Sequence, residues 1–391
     1  MSVINVGLYQ STSPQADHEG FKRLVRQLAD DVAPALSEAS GLQWLFHIGE
    51  PAQLTTDDAR RPGDFLDDAS LRMTEAELDA IFVVTDVPLV SSASGIVPGL
   101  ASPLAHVGVM SMRPLRTGKR GQPSFALDGE RVRWNAAALL LHLVGRILGM
   151  PERSGRSDAM TPFAIADDRR GLPGFADRAL LHARAERFPD REHRPPNLLV
   201  HIFYYLAALL RHPLRILTPV VRNGAPLMSL RMPSLLTAAV VPTFILIFTA
   251  EIWDVGLNMT APVIWTYAVV SIVAATLYLV FGQNLFLPGK GQARTSDHLI
   301  QVNLSILLSM LLAVLGMFAM VMALALVIEL FVFPADLIRT WPTLEDPNVS
   351  LVDKVGLAAF ISTIGVSTGA LAGGLESRRV IRHMSLFLDR P

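Results

Sequence analysis

HLVGRILGMPE, residues 142–152, is the stretch whose reading decides the first half of the chain. It closes a long apolar run and carries a histidine, glycines at 145 and 149, and a glutamate past the second glycine. Glycine after a periodic apolar run stops a helix, so the run reads as a helix from about Val132 to Met150. Working outward, VINVGLY (3–9), LQWLFHIG (42–49), DAIFVVTD (79–86) and AHVGVMSM (105–112) read as strands. DAIFVVTD is apolar enough to be central in a sheet. Residues 17–39 place Phe21, Leu24, Val25, Leu28 and Val32 on one helical face. A polar, hairpin-like TGKRGQPSFALDGE (117–130) precedes the quoted helix. The pattern is an α/β domain that ends near Pro195 and Pro196, which mark a linker.

The spacing within the quoted stretch carries chemistry. In the common zinc-binding helix, two histidines four residues apart share one face and a glutamate after the first activates water. Longer versions continue with a glycine that turns the chain, a third ligand, and later a methionine turn beneath the metal. With the first histidine at His142, the third ligand falls on Glu152 and the methionine on Met160, in DAMTPF. The glutamate position is Leu143 and the second-histidine position is Arg146.

DAIFVVTDVPLV, GIVPGLASPLAHVGVMSMRPL, ALLLHLVGRILGMPE, AMTPF and a short arginine-rich helix follow one another in this order. In that order and spacing the chain resembles the metzincins, and within them most closely the archaemetzincins, over roughly residues 1–190. The resemblance implies a zincin-like fold with a substrate cleft beside an edge strand. The departures count for more than the matches. Leucine at 143 cannot accept a proton, and the guanidinium of Arg146 stays protonated and cannot ligate zinc. Of three protein ligands only His142 and Glu152 remain, fewer than a catalytic zinc keeps. The expectation is therefore no catalytic residue, no metal and no cofactor. His142, Leu143, Arg146, Glu152 and Met160 are degenerate active-site positions, and Arg146 pairs with Glu152 where a metal would sit. Such a domain would serve as a binding or regulatory module for a protein or peptide, added to the edge strand by strand pairing. Two alternatives stay open: a membrane-anchored peptidase with atypical ligands, and a channel or transporter gated by this domain.

Four further histidines, His47, His106, His182 and His193, show no ligand spacing, and Ser91, Ser92 and Ser94 lack a nucleophile elbow. The glycines around Lys290 follow no strand and include no Gly-Lys-Ser/Thr, which argues against a phosphate loop. RTGKRGQ (116–122) is short and without aromatics, so no nucleic-acid partner is expected. Neither does the net charge of −1 over 391 residues create a pull toward polyanions. The chain has no cysteine, which excludes disulfides and thiolate metal sites.

Half of the chain is hydrophobic, and the charges crowd its first half. That asymmetry points to a soluble domain joined to an all-α transmembrane domain. MSVINVGLYQ has no basic, apolar signal pattern. Four stretches read as spans: Pro233–Trp253, Ala261–Leu285, Leu299–Phe333 and Val355–Leu375. Basic Arg211, Arg215, Arg222 and Arg231 precede the first, Lys290 and Arg294 follow the second, and Arg378, Arg379 and Arg382 follow the fourth. Acidic Glu251 and Asp254, then Asp336, Glu345, Asp346 and Asp353 against Arg339 and Lys354, fall between the others. Basic residues stay on the cytoplasmic side, so both termini are expected there, in a multi-pass protein of the plasma (inner) membrane. Residues 197–221 have about 14 apolar residues before Arg211 and are broken at Pro213. With Phe203, Tyr204 and Tyr205 they suit a helix lying in the headgroup region. The organisation is then 1–195 zincin-like domain, 196–231 linker, 232–376 four-helix membrane domain and 377–391 basic tail. Gly365, Gly369 and Gly373 make a smooth stripe for close helix packing, within the bundle or between copies of the chain. Gln301, Asn303, Ser305, Ser309 and Glu329 lie near the ends of the third span, and no internal repeat suggests alternating access.

Overall fold

A computed structural model describes residues 3–91, 95–117, 125–153, 158–166, 168–188, 192–193, 225–286, 295–333, 338 and 349–372. The described residues fall into two compact units.

The first unit is an α/β domain. Strand β1 (Val3–Thr12) leads to helix α1 (His18–Ser40), whose first turn is capped by Asp17 accepting from the Gly20 N–H at 2.9 Å. Then come β2 (Gln43–Ile48), β3 (Ala52–Gln53), a 3-10 turn (Pro62–Phe65), α2 (Leu66–Glu75) and β4 (Ala80–Thr85). A short hairpin, β5 (Leu89–Ser91) and β6 (Gly95–Val97), precedes β7 (Gly99–Ser102) and β8 (Val107–Ser111). Helices α3 (Met112–Arg116), α4 (Glu130–Ile147) and α5 (Arg178–Ala185) follow. A two-residue strand β9 (Glu192–His193) pairs antiparallel with β10 (Thr295–Ser296).

The main sheet runs β2-β1-β4-β8-β7, with β3 also on β1. Strands β2, β1, β4 and β8 are parallel, and β7 is antiparallel to β8 at the end of the sheet. On one face Ile4, Val6, Leu8, Phe82, Val84 and Met110 meet α1 and α4 in a single apolar cluster. On the other, Ile81, Val83, Val107 and Val109 lie buried on the side of the 3-10 turn and α2. Helix α4 is buried nearly all round, as its apolar composition requires. Arg133 ties it to α1 through two bonds to Asp31, at 2.7 and 2.6 Å. The four strands and two long helices read from the sequence are here. Helix α2 and strands β5–β7 are additions, the strands being too short, and too interrupted by Pro98 and glycines, to show a period.

The second unit is helical: α6 (Pro233–Ile247), α7 (Ala250–Asn258), α8 (Ala261–Gly282), most of α9 (Asp297–Phe331) and α10 (Leu351–Ala372), led by a 3-10 turn (Ala225–Arg231). Three helices are long and apolar enough to cross a membrane: Ala261–Gly282, Val302–Phe331 and Leu351–Leu371. The expected first span, Pro233–Trp253, is not one helix. The chain turns by 90° between α6 and α7, so a fourth crossing exists only if that bent pair counts as one. The 15 residues of α6 rise about 22 Å, short of a bilayer core of about 30 Å. Side chains satisfy carbonyls at the break: Thr249 Oγ1 donates to Ile245 O at 2.9 Å and Trp253 Nε1 to Ile247 O at 2.8 Å. Trp253 is fully buried with Ile247, Ala325, Ile328, Leu357 and Ile361, and Glu251 and Asp254 stand on α7 rather than in a loop.

Gly365 and Gly369 face α6 of the same chain. A Cβ at Gly365 would lie 2.6 Å from Thr243 Oγ1, and one at Gly369 3.0 Å from Leu235 O. Gly373, the 197–221 segment, the Pro195–Pro196 linker, the basic tail and most of the loop charges lie outside the described residues.

Candidate functional site

The site is built on the C-terminal end of α4. Gly149 takes a left-handed φ of 71°, the Met150 N–H donates to Gly145 O at 2.9 Å, and the Gly149 N–H donates to Arg146 O at 3.0 Å. This double closure ends the helix and turns the chain back along it. A side chain at 149 would be strained by that φ and would also press on Arg184, 2.8 Å from the Cβ position.

Four of the five singled-out residues surround this turn, and each has a settled occupation. His142 is 3% exposed, and its Nδ1 is 2.8 Å from Ala159 O. A carbonyl can only accept, so Nδ1 carries the hydrogen and Nε2 is left with a lone pair. That Nε2 is buried and has no partner among the described residues. Burial, reinforced by the charge of Arg146, pushes the imidazole below its usual range and keeps it neutral. Arg146 Nη1 donates to Glu152 Oε1, with the arginine side chain 16% exposed and the glutamate 45%. Met160 is buried beneath the helix, where a Cβ on Gly145 would collide with its Sδ. Leu143 does not face this turn at all. It belongs to the apolar cluster, 2% exposed, with Cδ1 3.1 Å from the Cβ position of Gly99 on β7.

Asn135 is a structural partner that motif reading passed over. Its Nδ2 donates to Ala166 O at 2.7 Å and its Oδ1 accepts from the Ala166 N–H at 2.9 Å. Seven residues separate Asn135 from His142, two turns on one face, and His142 holds Ala159 of the same return segment. Together they fasten residues 159–166, with Met160, against α4. The signal was present in the sequence: one amide in the apolar run VRWNAAALLLHL.

Three of the further histidines are engaged locally. His47 Nε2 meets Asn5 Oδ1 at 3.0 Å, His106 Nδ1 meets Asp79 O at 3.1 Å, and His182 Nδ1 meets Ser40 O at 2.6 Å. The His193 side chain, Ser92 and Ser94 lie outside the described residues.

Among the described residues no three His, Asp or Glu side chains converge on a point that could hold a metal ion. At the positions singled out by the motif, the donors left for a zinc ion are few. One lone pair, His142 Nε2, is free for it, a guanidinium stands where the second ligand would be, and the remaining carboxylate is bonded to that guanidinium.

Comparison with solved structures finds archaemetzincin from Methanopyrus kandleri at 17% identity and a TM-score of 0.35, covering 47% of this chain and 96% of that one. A zinc-dependent peptidase from Methanocorpusculum labreanum matches at 16% identity and 0.34, over 44% of this chain and 99% of that one. Archaemetzincin from Archaeoglobus fulgidus, complexed with malonate, matches at 15% and 0.29, over 45% and 99%. No protein-family profile matches the chain, and no curated protein matches its sequence.

Proposed function

We propose that this is a multi-pass membrane protein whose N-terminal unit is a metzincin-like domain without a working zinc centre, used to bind an extended protein or peptide segment. The Arg146–Glu152 ion pair carries the reading, because it joins the positions of the second and third ligands and leaves neither for a metal. Leu143 supports it: a leucine sealed into the core cannot activate water. Terminal strand β7 is the natural place for a peptide to add, since main-chain pairing needs no catalytic group. In this reading both termini are cytoplasmic, the membrane is the plasma (inner) membrane, and the helices are surrounded by lipid. Self-association is not needed to explain the glycine row, which α6 of the same chain covers at 365 and 369.

Metal analysis of the purified full chain tests it. Zinc well below one equivalent is expected. Stoichiometric zinc that disappears in His142→Ala and Glu152→Ala would overturn the reading and restore a peptidase with unusual ligands. A second reading, a channel or transporter gated by the N-terminal domain, draws support from one observation, the fully buried carboxyl of Glu329. Solute or ion flux through the chain in liposomes would favour it.

A further inference from the structure

Glu329 lies in the last turn of α9, where the sequence suggests an interface, yet its side chain is fully buried. Ala325, four residues before it, and Phe333, four after, both belong to the apolar cluster around Trp253, so Glu329 points toward that cluster. Neither of its carboxyl oxygens has a hydrogen-bond partner among the described residues. Trp253 Nε1 donates to Ile247 O, and Lys354 Nζ donates to the main-chain carbonyl of Glu329 at 3.3 Å. No ion pair joins Lys354 to the Glu329 carboxyl among the described residues, although the ammonium lies beside it on the main-chain carbonyl of the same residue. The other charged groups on the neighbouring helices are turned elsewhere. Glu251 is exposed, Asp254 accepts from Asn258 Nδ2 at 3.2 Å, and Asp353 accepts from Ser350.

An ionised carboxylate without donors in an apolar interior is among the most unfavourable arrangements a membrane protein can hold, whereas the protonated acid is merely a poorly satisfied polar group. We propose that Glu329 is a proton-binding site of the membrane unit, with Lys354 as its counter-charge. With the proton bound, the carboxyl is neutral and Lys354 rests on the main-chain carbonyl, where it lies in this structure. On release the O–H bond breaks and the proton passes to water. The carboxylate left behind attracts the Lys354 ammonium from the carbonyl to itself. No electrons change hands. The ammonium belongs to the first turn of α10 and the carboxyl to the last turn of α9, so proton release alters how the two helix ends are tied. A cation other than the proton is disfavoured by the ammonium already present. The proposal rests on the apolar helices and their interior, and holds whether or not the N-terminal domain binds peptide.

The test is an infrared titration of the full chain in lipid vesicles, wild type against Glu329→Gln. A protonated-carboxyl C=O stretch should be present in the wild type at neutral pH, vanish in alkali, and be missing from Glu329→Gln. In Lys354→Met the band should persist to a pH higher by about one unit or more, because the charge favouring the anion is gone. Should Glu329→Gln fail to fold, Glu329→Asp keeps the acid and should shift the band instead of deleting it. Absence of the band from folded wild type at neutral pH, or a band unaffected by either Glu329 variant, overturns the site. A titration unmoved in Lys354→Met overturns the role of the lysine.

Discussion

Arg146 and Glu152 are joined by a hydrogen-bonded ion pair across the turn that ends α4, with the arginine mostly covered and the glutamate almost half exposed. The pair therefore joins the two residues that the motif reading sets at ligand positions, without being a buried salt bridge. Exposed pairs are worth about 0–1 kcal/mol. Arg146→Ala should accordingly cost about 0.5–1 kcal/mol, seen as modestly faster amide exchange at the end of α4 in the full chain. A loss several times larger would mean that the guanidinium supports more than this carboxylate.

Replacing Arg146 by histidine should be enough to introduce zinc binding. His142 Nε2 is already free and its ring is already oriented by Ala159, and two histidines four apart on a helix are well spaced for one ion. The further change Leu143→Glu should lower the melting temperature, since it drives a carboxylate into the packed space beside Gly99. Metal content and melting of the two variants check this; an Arg146→His protein that takes up no zinc contradicts it.

Acid should weaken the N-terminal domain through His142. Burial holds its folded value below the usual one, so below about pH 6.5 the unfolded chain binds a proton that the folded domain refuses. The stability it contributes is complete above about pH 6.5 and is lost as the pH falls toward the folded value. His142→Asn can still donate to Ala159 but does not titrate, and its melting temperature should vary less between about pH 7 and pH 5. Parallel profiles for the two proteins would assign the acid sensitivity to other groups.

Gly369→Leu should loosen the membrane unit within a single chain. A Cβ there would lie 2.9 Å from Ala239 Cβ and 3.0 Å from a main-chain oxygen of α6, which cannot move aside as a side-chain tip could. Overpacking of this kind costs about 1–3 kcal/mol. Thermal unfolding in detergent should show it, with the same self-association state as wild type; unchanged melting would refute the contact.

Topology reporters can resolve what the bend at Phe248–Thr249 leaves between two routes. If α6 and α7 cross as a bent pair, reporters after Lys290 and Pro391 should lie on the cytoplasmic side with the N-terminal domain, and one after Glu345 on the far side. The distribution of lysine and arginine favours this outcome. Should the pair re-enter instead, the N-terminal domain and the Lys290 loop would be found on opposite faces.

Much of the architecture was legible in the order of residues. Buried parallel strands announce themselves as continuous apolar runs, which is why DAIFVVTD and AHVGVMSM coincide with β4 and β8, and periodic faces announce α1 and α4. What leucine and arginine at 143 and 146 cannot do is likewise a matter of identity alone: neither can serve as glutamate or histidine would, whatever surrounds them. Of the four spans expected from length and composition, three stand as single apolar helices.

Tertiary structure decided the rest, because it depends on partners remote in the chain. Only packing could show that Leu143 turns into the core against Gly99, that Asn135 and His142 together grip residues 159–166, and that Glu152 keeps almost half its surface in solvent. The apolar run from Pro233 to Trp253 reads as one helix by composition, since hydropathy carries no record of direction. The 90° turn appears only when Thr249 and the Trp253 indole are seen bonded to the carbonyls at the break. Glu329 is the same lesson in reverse: its position near a helix end suggested water, and the neighbours that exclude water come from three other helices far along the sequence.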